Sequence, residues 1–320
     1  MTLIGHDIPW AEWRAAIAGP RMHHGWILAG QRGIGKAAFA RAAARELVAE
    51  EGIPQPPGDH PDIIVLSHLP ATKDDEKKQE DGKPFNLKRN ITIEQVRAVQ
   101  HRLHTRPTLG RNRAIIIDPA DDLEKGASNA LLKSLEEPPQ GTFFLLVTHR
   151  PGRLLPTIRS RCRLLPFPRL DDRQIDAILM HEVPRADAAT RAAAIAAAGG
   201  SPGAALDFVE LDLGALHRLM LEIAATGDPG FILRGRLAEA MGTRPDRKRQ
   251  MAAVELARAV VGAAMEGIGV EAIPGLVETH ADLARLTTQV PIYNFDPGFL
   301  VLEIGTLLTR LGHPREAAHG

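Results

Sequence analysis

Short apolar runs alternate with amphipathic segments through the first half of the chain, and this alternation predicts a parallel sheet flanked by helices. Strands buried on both faces of such a sheet are apolar throughout, and four runs have this character: residues 26–29, 63–66, 113–118 and 143–148. Helical spacing of apolar residues marks the segments between them, at 37–50, from 92 to Pro107, and from 126 to the proline pair 138–139. Because parallel sheets bind ligands at the carboxyl ends of their strands, we expect a site there.

The second half of the chain has a helical pattern. Two shorter helices are predicted at 173–181 and 186–198, the second ended by Gly199 and Gly200. Longer helical stretches follow at 247–267, 276–290 and 299–311. Asp296 is positioned to cap the last of these, with Pro297 at its first helical position. The predicted fold class is therefore an α/β domain with a parallel sheet, followed by all-α structure.

Two segments of the first half differ from this pattern. Residues 1–25 form a lead-in, with Trp10 and Trp13 as anchors on a first helix. Residues 70–90 are rich in lysine and acidic residues and contain almost no apolar side chains. A segment of that composition cannot bury enough apolar surface to order itself. We therefore predict an exposed, partly disordered loop there, and the sequence does not indicate what it does.

Composition narrows the classes of protein to consider. The 39 basic and 39 acidic residues cancel to a formal net charge of zero, which does not favour autonomous, non-specific binding to nucleic acid. Cys162 is the one cysteine, so an internal disulfide and a multi-cysteine zinc site are both excluded. The sequence has no secretory signal pattern at its start and no apolar run long enough to span a bilayer. A soluble, cytoplasmic protein is expected.

The first apolar run leads into a phosphate-binding loop. Residues 30–36 read Gly-Gln-Arg-Gly-Ile-Gly-Lys, which is the G-x-x-x-x-G-K pattern between a strand and a helix. Gly30, Gly33 and Gly35 let the backbone bend so that successive N–H groups point at an anion, and the positive end of the helix adds to the attraction. Lys36 would reach the β- and γ-phosphates. The next position carries a hydroxyl that binds Mg²⁺ in active P-loops, but here it is Ala37.

Two other polar residues end predicted strands on the same side of the sheet. Asp118 ends the predicted strand at 113–118, which is the Walker B pattern whose carboxylate helps to hold Mg²⁺. Pro119 stands where ATPases of the AAA+ type have a glutamate that polarises the attacking water. Thr148 ends the strand at 143–148 and is predicted to face the nucleotide. The sequence thus predicts a degenerate ATP site, without a metal, at Gly30, Gly33, Gly35, Lys36, Asp118 and Thr148.

Four elements, in their order and spacing, together resemble the bacterial clamp-loader AAA+ subunits of DNA polymerase III. They are residues 30–36, residues 116–118, the run Asn-Ala-Leu-Leu-Lys-Ser-Leu-Glu-Glu-Pro-Pro at 129–139, and Leu-Pro-Thr-Ile-Arg-Ser-Arg-Cys at 155–162. The Ser-Arg-Cys element is the most specific of them. The resemblance is strong over residues 20–168 and weaker beyond. It implies a AAA+ P-loop domain over 1–168, a small helical lid over 169–208, and a helical collar over 209–320 that joins subunits in a ring.

Departures from the family's ATPase pattern indicate which kind of subunit the chain resembles. Catalytic subunits of the gamma/tau type keep a threonine after the Walker lysine, an acidic pair after the apolar strand, and an arginine in the lid helix. This chain has Ala37, Asp118-Pro119 and Ala204 at those positions. The resemblance therefore implies a stator that is inactive as an ATPase by itself and needs no cofactor, with only weak or vestigial ATP binding. Residues 51–60 also lack the four-cysteine module of many relatives, so no zinc is expected.

The Ser-Arg-Cys element carries the one catalytic role that the resemblance implies. In the family, its arginine projects into the ATP site of a neighbouring subunit, where a permanently charged guanidinium stabilises the γ-phosphate in the transition state. The matching residue here is Arg161. The implied partners are the delta and gamma/tau subunits and, through the complex, the sliding clamp and primed DNA, with no membrane. The implied function is to help load the clamp during replication, within the DNA-directed DNA polymerase III holoenzyme.

Two other interpretations remain open from the sequence. An active ATPase of the gamma/tau type shares the P-loop and the Ser-Arg-Cys element, but Ala37, Pro119 and Ala204 disfavour it. A P-loop kinase acting on a small molecule shares only the phosphate-binding loop. It explains neither the Ser-Arg-Cys element nor the helical second half of the chain.

Overall fold

The computed structural model describes residues 4–83, 85–265, 271, 273–290 and 295–312. The chain divides into two compact units, residues 1–169 and residues 170–320. Each unit is treated by itself, and the finer division into lid and collar stays a prediction. Within the described residues, no helix combines the length and the apolar character needed to cross a bilayer.

The first unit contains a five-stranded parallel sheet. Strands pair in the order β2-β3-β4-β1-β5, and each neighbouring pair runs parallel. The strands are β1 (Gly25–Ala29), β2 (Ile63–Leu66), β3 (Arg113–Ile117), β4 (Thr142–Thr148) and β5 (Arg163–Pro166). Together with the helical second unit, this sheet confirms the predicted fold class. It also brings the carboxyl ends of β1, β3 and β4 to one edge, where ligands of parallel sheets bind.

Strand β5 was not predicted as a strand, and its sequence explains why. It is four residues long, lies at the edge of the sheet, and has one buried residue, Leu165. An edge strand with most of its side chains in solvent lacks the continuous apolar run of a central strand. Its position matters because Ser160, Arg161 and Cys162 immediately precede it.

The helices of the first unit enclose the sheet and bury the aromatic residues of the lead-in. Trp13, Trp26 and Phe39 are fully buried, and Trp13 packs edge-on against both of the others. Large buried aromatic side chains of this kind dominate core energetics. The helices are α1 (Asp7–Ala18), α2 (Lys36–Val48), α3 (Lys73–Glu80), α4 (Ile93–Leu103), α5 (Lys125–Glu136) and α6 (Pro156–Arg159). The predicted helix before Pro107 therefore ends earlier, at Leu103.

Residues 70–90 were predicted to be an exposed loop, but this segment contains helix α3. The side chain of Thr72 caps the helix by accepting a hydrogen bond from the Asp75 N–H at 3.1 Å. The Asp75 carboxylate in turn accepts a hydrogen bond from the Asn86 N–H, also at 3.1 Å, and so ties the far end of the segment to the helix. Local caps thus order a segment with little apolar surface, an effect that a composition argument does not capture.

The second unit is helical throughout its described residues. The prediction that Asp296 caps the last helix is confirmed, because its carboxylate accepts the N–H groups of Gly298 and Phe299 at 2.9 and 3.2 Å. The predicted end of the helix at Gly267 lies outside the described residues. The helices are α7 (Asp172–Glu182), α8 (Ala188–Ala198), α9 (Pro202–Glu210), α10 (Gly214–Thr226), α11 (Ile232–Met241), α12 (Arg247–Ala264), α13 (Ile273–Gln289) and α14 (Pro297–Thr309).

Candidate nucleotide site and arginine element

The phosphate-binding loop lies between β1 and α2, at the carboxyl edge of the sheet. Gly33 and Gly35 have φ angles of 75° and 102°, a region that residues with a Cβ rarely adopt. Gly30 is needed for a different reason, since a Cβ there would lie 2.7 Å from the carbonyl oxygen of Phe167. On its other side the loop is held by His6, whose Nε2 is 2.7 Å from the Ile34 carbonyl. The loop thus has the backbone of an anion-binding nest and is fixed by the residues around it.

Lys36 is turned back onto this loop. Its side chain is almost fully buried, and Nζ donates hydrogen bonds to the carbonyl oxygens of Gly30 and Gln31 at 2.7 and 2.6 Å. Burial lowers the pKa of Lys36 to about 8, although the nearby carboxylates of Asp121 and Asp118 oppose the shift. An ammonium group has three donors. Two bind carbonyl oxygens of the loop, so contact with a phosphate would use the third donor or require these bonds to open.

Asp118 follows β3 and lies near Arg41 of α2, a cation of the chain itself. Its Oδ2 is 4.0 Å from a guanidinium nitrogen of Arg41. Burial raises the pKa of Asp118, and the positive charges of Arg41 and Lys36 act against that rise. Mg²⁺ requires several oxygen ligands in near-octahedral geometry. Because the hydroxyl is absent at Ala37 and Arg41 approaches the carboxylate, the site offers fewer free oxygen ligands for a divalent metal than an active P-loop does.

Thr148 ends β4 at the same edge, but its hydroxyl is committed within the protein. It is fully buried, and Oγ1 donates a hydrogen bond to Asp121 Oδ1 at 2.6 Å. The Asp121 carboxylate also accepts the N–H groups of His149 and Arg150, at 2.6 and 3.1 Å. Asp121 therefore joins the turn after β3 to the end of β4, directly behind the phosphate-binding loop.

Asp121 is the residue of this site that the sequence analysis missed. The signal available was weak, because Asp-Asp after a strand and a proline is equally typical of a solvent-exposed turn. Its neighbour Asp122 shows the ordinary case: its side chain is about a third exposed, and its Oδ2 lies 3.2 Å from His68 Nε2. Three donors converging on one carboxylate are visible only once β3 and β4 are placed side by side.

We expect Asp121→Ala to lower the free energy of unfolding of the first unit by about 2–4 kcal/mol, because it leaves the buried Thr148 hydroxyl and the His149 N–H without their acceptor. The Arg150 N–H keeps the Thr148 hydroxyl as its acceptor, at 3.2 Å. Urea unfolding followed by tryptophan fluorescence measures this unit specifically, since Trp10, Trp13 and Trp26 are the three tryptophans of the chain and all lie in it. Asp122→Ala is the adjacent control and should cost less than about 1 kcal/mol. Equal losses for the two variants would contradict the role given to Asp121.

Arg161 lies near the amino ends of the strands, whereas the phosphate-binding loop lies at their carboxyl ends. Arg163, at the start of β5, pairs with Trp26 near the amino end of β1, and the loop begins after the carboxyl end of β1. The two sites are therefore separated by about the length of β1, roughly 16 Å at 3.3 Å per residue. Lys36, Asp118 and Thr148 thus lie at the carboxyl ends of the strands, and Arg161 lies near the amino ends.

Contacts within the first unit hold the Arg161 side chain at this edge. Its guanidinium forms an ion pair with Glu136 at 2.8 Å and donates to the carbonyl oxygen of Thr157 at 3.0 Å. About a third of the side chain stays exposed, so it is held in one place and can still be reached by a partner. Glu136 belongs to the Glu-Glu-Pro-Pro end of α5, which connects two of the motifs noted in the sequence.

Cys162 and Ala204 are two other positions that the sequence analysis singled out. Cys162 packs against Gly25, where a Cβ would lie 2.9 Å from its sulfur, and burial raises the pKa of its thiol to about 12. This close contact with Gly25 is the setting of a small packing residue. Ala204 lies in the first turn of α9, where its N–H donates to the Ser201 hydroxyl at 3.3 Å.

Comparison with known proteins gives consistent matches. Residues 5–171 match the family model described as DNA polymerase III, delta subunit. Among individual proteins, the chain is 33% identical over 169 residues to DNA polymerase III subunit delta' of Pseudomonas aeruginosa, covering 48% of this chain and 46% of that protein. It is 32% identical over 206 residues to subunit delta' of Escherichia coli, covering 60% of this chain and 56% of that protein.

The chain also matches subunits of the tau/gamma type. The chain is 31% identical over 173 residues to DNA polymerase III subunit tau/gamma of Haemophilus influenzae, covering 50% of this chain and 22% of that protein. It thus spans about half, or less, of the length of these curated relatives. Among solved structures, a DNA polymerase III gamma subunit-related protein from Thermotoga maritima is 19% identical, with a TM-score of 0.48 and coverage of 96% of this chain and 100% of that one.

Proposed function

The chain belongs to the family described as DNA polymerase III, delta subunit, and on that premise we propose that it is a stator-type, delta-prime-like subunit of a clamp loader. In this role it hydrolyses no ATP itself and supplies Arg161 to the ATP site of a neighbouring subunit. The complex, with delta and gamma/tau subunits, loads the sliding clamp on primed DNA during replication. The site of action would be the cytoplasm.

The observation that carries this proposal is the placement of Arg161. A guanidinium about one strand length from its own phosphate-binding loop cannot contact a phosphate bound there, yet it is ordered and partly exposed at an edge of the unit. An arginine finger that acts in trans needs this combination, because the group must be preset before the partner's nucleotide arrives. Glu136 would position Arg161 and would yield part of its contact to the γ-phosphate of the partner's nucleotide.

The chain's own nucleotide site supports the same proposal. A metal-dependent ATPase needs a hydroxyl after the lysine and a carboxylate available to the metal. This chain has Ala37 at the first position and pairs Asp118 with Arg41 at the second. The nest of Gly30, Gly33 and Gly35 and the third donor of Lys36 remain, so weak binding of a nucleotide is compatible with a site that does not turn over.

The second candidate function is an active ATPase of the gamma/tau type. The similarity to the tau/gamma subunit of Haemophilus influenzae, at 31% identity over 173 residues, favours it. The losses at Ala37, Pro119 and Ala204 disfavour it. The two candidates differ in one measurable property, which is turnover by the isolated chain.

Reconstitution tests the proposal. The isolated chain is assayed for ATP hydrolysis, and a loader built from delta and gamma/tau subunits is assayed for clamp loading on primed DNA with and without this chain. We expect no turnover by the chain alone and loss of clamp loading when it is omitted. Hydrolysis by the isolated chain would favour the gamma/tau interpretation, and full loading without the chain would contradict a stator role.

A further inference from the structure

His24 immediately precedes β1 and contacts the last turn of α5, the helix that carries Glu136. We propose that His24 positions Arg161 for the neighbouring subunit's ATP site, by fixing the turn from which Glu136 holds the guanidinium. The inference deepens the proposed function and rests on the role given there to Arg161. If loss of His24 had no effect and loss of Arg161 did, this inference alone would be wrong.

The proline pair that ends α5 leaves a carbonyl of its last turn without a partner in the helix. Each carbonyl of an α-helix accepts the N–H four residues further on, and for Leu135 that residue is Pro139, which has no N–H. Nε2 of His24 lies 2.8 Å from the Leu135 carbonyl oxygen. A carbonyl can only accept, so this nitrogen carries the proton and donates it. His24 thus supplies the hydrogen bond that the sequence of α5 removes.

His24 itself is held in place by the sheet and by its neighbour. Its backbone carbonyl accepts the N–H of Phe144 at 2.7 Å, where β1 begins to pair with β4. Its ring stacks on that of His23, with 4.7 Å between the centroids and 18° between the planes. Burial lowers the pKa of His24, although the hydrogen bond to Leu135 opposes the shift. The ring is therefore uncharged at neutral pH, and its one N–H is the donor to α5.

The turn that carries Arg161 meets the same part of the chain. A Cβ on Gly25 would lie 3.1 Å from the Arg161 carbonyl oxygen and 3.5 Å from Cδ2 of Leu135. The backbone of Arg161 and the residue before Glu136 therefore both lie against the start of β1. Since Glu136 binds the Arg161 guanidinium at 2.8 Å, a displaced end of α5 would move the carboxylate that holds this charge in place. The hydrogen bond from His24 opposes that displacement.

The test is single-turnover ATP hydrolysis at the neighbouring subunit's site, in a reconstituted loader whose other ATPase sites are inactive. His24→Phe keeps a ring to stack on His23 but has no donor. We expect it to lower the rate constant at saturating ATP roughly tenfold, since misplacement of a group by about 1 Å can cost up to about 100-fold. His24→Gln keeps an N–H donor at similar reach and should stay within about threefold of wild type. Assembly and the ATP concentration for half-saturation should not change in either variant.

Asn112→Ala is the matched control. Nδ2 of Asn112 donates to the Leu47 carbonyl oxygen in the last turn of α2, at 3.0 Å, so its loss uncaps another helix of the same unit. This helix end does not contact Glu136 or Arg161 through any hydrogen bond or ion pair of the described residues, and we expect wild-type hydrolysis. Thermal unfolding verifies that each variant is folded, and His24→Ala takes the place of His24→Phe if the phenylalanine variant does not fold.

A double-mutant cycle separates positioning from general destabilisation. In a loader that already carries Arg161→Ala, His24→Phe should cost no more than about twofold, because a residue that acts through Arg161 then has nothing to position. Any of these results would overturn the proposal: wild-type hydrolysis by His24→Phe, an equal loss in His24→Gln or in Asn112→Ala, or a roughly tenfold further loss in the Arg161→Ala background. Full hydrolysis by the Arg161→Ala loader would instead refute the proposed function, and this inference with it.

Discussion

Replacing Arg161 with alanine is expected to slow ATP hydrolysis at the neighbouring subunit's site by roughly three orders of magnitude or more, the range known for arginine fingers supplied in trans. The guanidinium is ordered by Glu136 and Thr157 at the edge of the first unit. Alanine removes the charge that would stabilise the γ-phosphate in the transition state. We expect the surrounding backbone to keep its structure. The loss should therefore appear in the rate of the chemical step and not in assembly.

The measurement must isolate one site, because a loader has several ATPase subunits and the others would mask the loss in steady-state turnover. Single-turnover hydrolysis in a complex in which only the neighbouring subunit retains a Walker threonine achieves this. Arg161→Lys distinguishes charge from geometry, since an ammonium keeps the charge and loses the planar fork. We expect it to recover only a small part of the rate.

Arg163→Ala is the matched control for this experiment. Arg163 lies two residues further along, is about half exposed, and pairs with Glu12 at 2.8 Å, so like Arg161 it is a partly exposed arginine held by one carboxylate. We expect wild-type hydrolysis from this variant, because an exposed ion pair contributes little to stability. Full activity of the Arg161→Ala complex, or an equal loss in both variants, would refute the finger in trans.

Sequence patterns predicted the central part of the first unit well, for a physical reason. Strands β1, β3 and β4 are buried on both faces, so their sequences are continuous apolar runs that resemble few other structures. Strand β5 and helix α3 were missed because their burial is partial: Leu165 is the one buried residue of β5, and α3 depends on the cap at Thr72. Edge strands and capped polar helices are specified by neighbours and hydrogen bonds and not by periodicity.

In the candidate site, too, the sequence located some residues and did not predict the contacts of others. The loop residues and Asp118 were located from the sequence, because the order strand, loop, helix and strand fixes which edge of the sheet they share. The pairing of Arg41 with Asp118 and of Thr148 with Asp121 was not predicted. Both depend on contacts between residues 27 to 77 positions apart, and one sequence without the fold gives no register for them.

Asp62→Ala is expected to lower the free energy of unfolding of the first unit by about 3–5 kcal/mol, the usual cost of removing one partner of a buried charge. Asp62 is fully buried at the start of β2, where it accepts the N–H groups of Thr108 and Leu109 at 2.6 and 2.8 Å. Its Oδ1 lies 3.8 Å from the buried guanidinium of Arg113. The substitution therefore leaves two backbone donors without their acceptor. It also removes the negative charge near the Arg113 guanidinium, which keeps its hydrogen bonds to the carbonyl oxygens of Arg102, Thr105 and Arg106.

Tryptophan-detected urea unfolding measures this loss, with Glu12→Ala as control. Glu12 pairs with Arg163 in an exposed bridge, so its removal should cost less than about 1 kcal/mol. The double variant Asp62→Ala/Arg113→Met removes the unpaired charge and leaves the two backbone donors unsatisfied. It also leaves the carbonyl oxygens of Arg102, Thr105 and Arg106 without the guanidinium that donates to them, which works against any gain in stability. If the buried charge dominates, the double variant should be more stable than Asp62→Ala alone. If the two variants were equally stable, the loss would come from the unsatisfied N–H groups of Thr108 and Leu109. The role of Asp62 would then be to anchor the turn before β3.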